Sequence, residues 1–210
     1  MRKSIKLLFI VFLCFFMFSP AQADTIVDTG AFNSSGFTHA LNSTQWLAAQ
    51  FDLVQAYTIT DIHGYINPVN TVPVNTGTMT IALYGDDGDD NSDIPDTSNQ
   101  YLVQQFSTSS DDPGWYGLTG LNTLLAAGTY WVSFEVREGD ANYGSMPFWF
   151  DNPLPNSAYR NDQGNWIAYD PADYGIRIYG EAGAIPEPAT MLLLGLGLMG
   201  LAGVRRRFKG

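Results

Sequence analysis

Residues 128–136 read Gly128-Thr129-Tyr130-Trp131-Val132-Ser133-Phe134-Glu135-Val136. Tyr130, Val132, Phe134 and Val136 share one parity; Thr129, Trp131, Ser133 and Glu135 share the other. Successive side chains of a strand point to opposite faces, so this period of two predicts a half-buried strand. The pattern recurs at Met79, Ile81 and Leu83, which alternate with Thr78, Thr80 and Ala82, and at Ile176 and Ile178 around Arg177. Further strands are expected near 46–53, 56–66, 100–107, 115–118, 146–151 and 165–169. Asn67-Pro68, Asp112-Pro113-Gly114 and Gln163-Gly164-Asn165 supply turns between them. No segment of residues 24–185 keeps a 3.6-residue period with caps. The expected fold class is all-β: an antiparallel β-sandwich, jelly-roll-like.

The two ends of the chain read differently from its middle. Arg2, Lys3 and Lys6 precede an apolar run from Leu7 to Phe18, and Ser19-Pro20 breaks it. Ala21-Gln22-Ala23 follows with small residues at Ala21 and Ala23, the spacing that signal peptidase cuts. The run is too short to span a bilayer comfortably. Residues 1–23 are therefore expected to be a secretory signal peptide. Cys14 is the one cysteine and lies inside it, so the exported protein has neither a disulfide nor a thiol nucleophile.

At the other end, Pro186, Glu187 and Pro188 lead into the apolar stretch Met191–Val204, and Arg205, Arg206, Arg207 and Lys209 close the chain. That stretch is roughly 21 Å as a helix, short for a ~30 Å hydrocarbon core. It suits a temporary inner-membrane anchor, with the arginines as a cytoplasmic stop. The Gly195-x-Gly197-x-x-Gly200 spacing within it lacks the strand and acidic residue of a nucleotide site; small residues for helix packing in a membrane account for it.

The Pro-Glu-Pro motif, the Leu/Gly-rich helix and the arginine cluster closely resemble the PEP-CTERM sorting signal. The resemblance implies a Gram-negative bacterium that makes extracellular polysaccharide, and cleavage near Pro186-Glu187-Pro188 by an exosortase in the membrane. These three residues would then be a substrate, with the catalytic groups belonging to the partner enzyme. The expected division is 1–23 signal peptide, 24–182 extracellular β-sandwich and 183–210 sorting signal.

Removing both ends changes the charge. The chain holds 10 Lys and Arg against 21 Asp and Glu. Seven of those cations and one acid, Glu187, lie outside residues 24–185. Arg137, Arg160 and Arg177 are left to face 20 acids, a net of −17. Such a domain repels nucleic acid, anionic membranes and acidic polysaccharide unless divalent cations intervene.

Two constellations could carry chemistry. In Gly85–Asp96, the residues Asp86, Asp87, Asp89, Asn91 and Asp93 offer oxygens, and Asp87, Asp89, Asn91 and Asp93 have the alternating spacing of a calcium loop. The loop lacks the glycine and the bidentate Glu of an EF-hand, and the alternative is an exposed hairpin loop kept soluble by its charge. In residues 143–174, Trp149, Trp166 and Tyr169 lie among polar groups such as Asp151, a composition suited to a carbohydrate. The alternative there is an aromatic sandwich core. No nucleophile, base and orienting group converge in the sequence, so no catalytic residues are expected.

Ala49-Gln50-Phe51, Thr80-Ile81-Ala82-Leu83-Tyr84, Leu125–Trp131 and Tyr174–Tyr179 also resemble, in their order, a recurring bacterial exported β-sandwich found with varied anchors. That resemblance implies a fold and a surface location and no activity. The expected function is a non-catalytic protein of the cell surface or exopolysaccharide matrix. The alternatives are a calcium-dependent, lectin-like carbohydrate-binding module and a glycan-active enzyme. Expected partners are signal peptidase, exosortase and extracellular polysaccharide, with no nucleic acid.

Overall fold

The computed structural model describes residues 23–31, 37–69, 77–88, 93–108, 112–141, 143–149, 154–162, 164–169 and 173–183, with residue 197 of the tail. The signal-peptide residues 1–22, Pro186–Pro188 and Arg205–Arg207 lie outside the described residues, as do Asp89, Asn91 and Asp151. Among the described residues, no helix is long and apolar enough to cross a membrane.

The strands are β1 (Asp24–Asp28), β2 (Phe37–Leu41), β3 (Gln45–Leu53), β4 (Tyr57–Val69), β5 (Gly77–Asp86), β6 (Pro95–Thr108) and β7 (Gly114–Leu118). They continue with β8 (Thr123–Leu125), β9 (Gly128–Glu135), β10 (Tyr143–Trp149), β11 (Ser157–Asn161), β12 (Trp166–Ala168), β13 (Asp173–Tyr174) and β14 (Ile176–Ala182). One sheet has the order β12-β11-β3-β9-β5-β6. The other follows β1-β14-β4-β10-β13, with β7 and β8 also on β4 and β2 also on β10. Every pairing is antiparallel. The antiparallel sandwich expected from the alternation is the fold observed.

The alternation sets which side chains meet between the sheets. Leu47, Ala49, Phe51 and Leu53 of β3, Met79, Ile81 and Leu83 of β5, and Tyr130, Val132 and Phe134 of β9 come from the six-stranded sheet. Ile59, Ile62 and Ile66 of β4, Met146 and Phe148 of β10, and Tyr174, Ile176 and Ile178 of β13 and β14 meet them from the other. Burying each such side chain contributes about 1.5–3 kcal/mol. Gly64 sits opposite Phe134, and a Cβ there would lie 2.5 Å from the ring. The missing side chain lets the two sheets close at that point.

β1, β2, β8, β11 and β13 were not among the expected strands, and β6 begins earlier than expected. β6 starts at Pro95, well before residue 100. It is an edge strand with β5 on its one paired side, so its first residues, Pro-Asp-Thr-Ser-Asn-Gln, stay polar without cost to a core. β11 went unread because its outward positions carry Ala158, which is buried, and Arg160, which is half-buried, and this blurs the period.

Candidate functional site

The outward parity of the six-stranded sheet is not an ordinary wet face. Ala48, Ala82 and Ala158 make room for Tyr84, Trp131 and Trp166, and these six form a second, separate apolar cluster. Trp46 and Ile94 pack on its margin. Trp131 is fully buried although it lies on the face turned away from the main core.

Polar groups sit in this face as fixed networks. Glu135 is fully buried. Its Oε1 accepts hydrogen bonds from Ser133 Oγ at 2.6 Å and Tyr84 Oη at 2.9 Å, and Arg137 Nε lies 2.5 Å from its Oε2. Arg137 Nη2 donates to Tyr84 Oη at 2.8 Å, which closes the ring of contacts. Burial, followed by the Glu135 charge, pushes the Tyr84 hydroxyl far above the ordinary phenol range. Burial alone would lower the Arg137 guanidinium, but the hydrogen bond and charge of Glu135 outweigh it and hold it above its usual value.

A second network crosses β3, β5 and β9. Asp86 Oδ1 accepts from Trp131 Nε1 at 2.9 Å and from Gln50 Nε2 at 3.0 Å. Gln50 Oε1 in turn accepts from Asn156 Nδ2 at 2.8 Å. The 137–140 turn is held by Asp140, which accepts from the Arg137 backbone N–H, Thr80 Oγ1 and Gln105 Nε2.

Above these networks lies an open cleft of about 580 Å³, lined by Trp46, Tyr84, Gln100, Arg137, Glu138 and Arg160 among others. Arg160 Cζ stands 4.6 Å from the Trp46 ring centroid and Arg137 Cζ 5.6 Å from it. Trp46 and Arg160 are direct register partners on β3 and β11, so the sheet itself makes this pair. Trp46 Nε1 donates to the Val136 carbonyl at 3.0 Å, which fixes the plane of the indole. A smaller hollow of about 150 Å³ adjoins, sharing Thr97 and Arg160 and bordered by Trp166. The Trp166 indole N–H is buried and has no hydrogen-bond partner among the described residues.

The eight-stranded sheet carries a flatter aromatic row on its outer side. Arg177 Cζ lies 4.0 Å from the Trp115 ring centroid, Tyr65 meets Trp115 edge-on at 5.5 Å, and Arg177 pairs with Asp28 at 3.1 Å. Each arginine of residues 24–185 thus stacks on a tryptophan.

The residues singled out in the sequence are placed as follows. Trp166 belongs to the outer cluster of the six-stranded sheet. Tyr169 instead packs against the main core, with His39 at 5.1 Å and Tyr159 at 5.6 Å between ring centroids. Trp149 lies on β10 of the other sheet, paired with Asp173. Trp166 and Tyr169 thus pack into different clusters. Asp86 is committed to Trp131 and Gln50, while Asp87 is exposed and Asp93 has a positive φ of 38°. Among the described residues, no group of three His, Cys, Asp or Glu side chains gathers as a metal site. Sequence reasoning passed over Trp46, Tyr84, Glu135 and Arg137 as a site. No local pattern marks them, because Trp46 meets Arg137 and Arg160 only through the pairing of distant strands.

The fold and its appended tail define the class: an all-β, two-sheet exported domain followed by a sorting segment. Residues 184–207 match the PEP-CTERM protein-sorting motif, and that motif marks an exported chain directed to an exosortase. Among curated proteins, no sequence matches the chain.

Proposed function

We propose that this chain is a non-catalytic protein of the cell surface or extracellular matrix of a Gram-negative bacterium. Signal peptidase would cut after Ala23, and exosortase would then cut near Pro186-Glu187-Pro188. Residues 24–182 form the functional sandwich, and residues 183–210 hold it at the inner membrane until the second cut. The observation that carries this reading is the sorting motif at 184–207 directly after the last strand of the sandwich. The non-catalytic part rests on how the carboxylates in the cleft region are used. Glu135 is tied to Arg137, Tyr84 and Ser133, and Asp86 to Trp131 and Gln50. Both act as fixed acceptors, and of the carboxylates Glu138 alone is among the described residues that line the cleft, whereas glycoside hydrolysis needs two carboxylates facing a shared open space.

Fractionation of cells carrying an exosortase tests the proposal. The wild-type chain should appear shortened in the surface or matrix fraction. A variant with Pro186, Glu187 and Pro188 replaced by alanine should stay full-length in the membrane fraction. Identical sorting of the two would overturn the reading.

A second reading, a carbohydrate-binding module, is favoured by the aromatic and polar cleft around Trp46. Calcium held by residues 85–96 would belong to this reading, and a rise in melting temperature with calcium would support it.

A further inference from the structure

We propose that the cleft lined by Trp46, Arg137 and Arg160 is a binding site for a carboxylate-bearing sugar residue of an acidic polysaccharide. The inference rests on the carbohydrate-binding reading and names its ligand class.

The argument starts from charge. A domain with a net of −17 repels an acidic polymer at long range. Acidic sugar can be held where cations are concentrated, at a range shorter than the ~8 Å Debye length. Two of the domain's three arginines line one cleft, with Glu138 beside them and Arg137 paired to the buried Glu135, so Arg160 carries the cation that is not tied to Glu135. The fold secures that placement in two ways. Arg160 is fixed opposite Trp46 by the β3–β11 register, and Arg137 is fixed by the buried Glu135.

Geometry supplies the next step. Arg160 Nε donates to the Gly164 carbonyl, and Arg137 uses Nε on Glu135 and Nη2 on Tyr84, so a ligand carboxylate would meet the Nη ends, which a planar guanidinium presents as parallel donors. Both guanidiniums lie against the same ring, so their rotamers are restricted before a ligand arrives.

The rest of the lining suits a sugar better than a bare anion. Gln100, Thr97 and Ser43 offer amide and hydroxyl groups, and Glu138 offers an acceptor for sugar hydroxyls. A volume of about 580 Å³ is within the range of small-ligand clefts.

The test is calorimetry of the full chain in a non-ionic detergent, titrated with a trimer of galacturonic acid and with the same trimer after reduction of its carboxyl groups. The acidic trimer should bind, with an affinity that falls as salt rises. Carboxyl reduction, and separately Arg160→Gln, should each weaken binding by about tenfold or more. Arg177→Gln, on the opposite sheet, should leave it unchanged. Melting curves verify that the variants stay folded; Arg160 is chosen because, unlike Arg137, it does not pair with the buried Glu135. Equal binding of the reduced trimer overturns the inference, as does an equal loss in Arg177→Gln. Absence of binding by either trimer overturns it as well, and leaves the surface location, measured by fractionation, to stand on its own.

Discussion

Arg137 and Glu135, two positions apart on one face of the same chain segment, join at 2.5 Å between Nε and Oε2, and Glu135 is fully buried. Arg137 lines the cleft, and Glu135 is buried behind it. Removing the base leaves a buried carboxylate with neutral donors alone, a situation that costs about 3–5 kcal/mol in fully buried pairs. Arg137 keeps partial contact with water, so the expected loss for Arg137→Met is nearer 3 kcal/mol. The double variant Arg137→Met with Glu135→Gln should recover part of it. Urea unfolding of the three forms measures both numbers, and a neutral single variant would show that the pair does not hold the cleft.

Trp131 and Trp166 share one apolar cluster but differ in what their N–H groups do. Trp131 donates to Asp86, whereas the buried Trp166 N–H has no partner among the described residues. Replacement of each by Phe removes similar apolar area. Trp131→Phe also loses a hydrogen bond to a carboxylate, worth about 1.5–3 kcal/mol. Trp166→Phe removes an unsatisfied donor, which offsets part of the lost packing. Trp131→Phe should therefore be the more destabilising by at least about 1 kcal/mol in denaturant titrations.

Asp86→Ala separates a scaffold role from a metal role. The carboxylate joins β3, β5 and β9 through Gln50 and Trp131. Its loss should lower the melting temperature by the same amount in EDTA as in millimolar calcium. A deficit seen in calcium alone would instead make Asp86 a ligand.

Acid should weaken the fold in a definite window. Burial lowers the pKa of His39, which also contacts Tyr174 Oη at 2.8 Å and the Phe148 ring at 4.1 Å. Burial likewise lowers His63, with Asp61 opposing and nearby Arg177 adding to the effect. Groups depressed on folding stabilise above their unfolded value of about 6.5 and lose that contribution as the pH falls below it. Thermal melts at pH 8 and pH 5 should differ, and His39→Phe should shrink the difference. Tyr84, raised by burial, acts at the other end. Its contribution is present below about pH 10 and is lost as the pH rises beyond.

Gly64→Ala tests the closeness of the two sheets. The added methyl meets the Phe134 ring at 2.5 Å and the Met146 methyl at 3.1 Å. Overpacking of this kind costs about 1–3 kcal/mol. A chemical-denaturation midpoint equal to wild type would mean that Phe134 moves aside freely.

What the sequence disclosed follows from where side chains sit. β5 and β9 were readable because Ile81, Leu83, Val132 and Phe134 face a dry core while Thr80 and Ser133 do not advertise theirs. The aromatic third of the chain misled. Trp166 and Tyr169 are three residues apart and lie on opposite sides of the six-stranded sheet, because a strand reverses its facing at every residue. The cleft could not be read at all. Trp46 and Arg160 become neighbours through pairing between distant segments, and register between such segments is set by the assembled core rather than by local pattern.

β14 runs between β4 and β1, and its far end lies beside the start of β1, with Asp24 opposite Gly180. The chain therefore enters and leaves the sandwich at one pole. A pull on the chain beyond Ala182 would load β14, which is paired with β4 on one side and β1 on the other. Two ladders of hydrogen bonds must then slide together instead of parting one rung at a time. Forced unfolding is governed by the height of that barrier, so a strand paired on both sides resists a pull along the chain better than one paired on a single side.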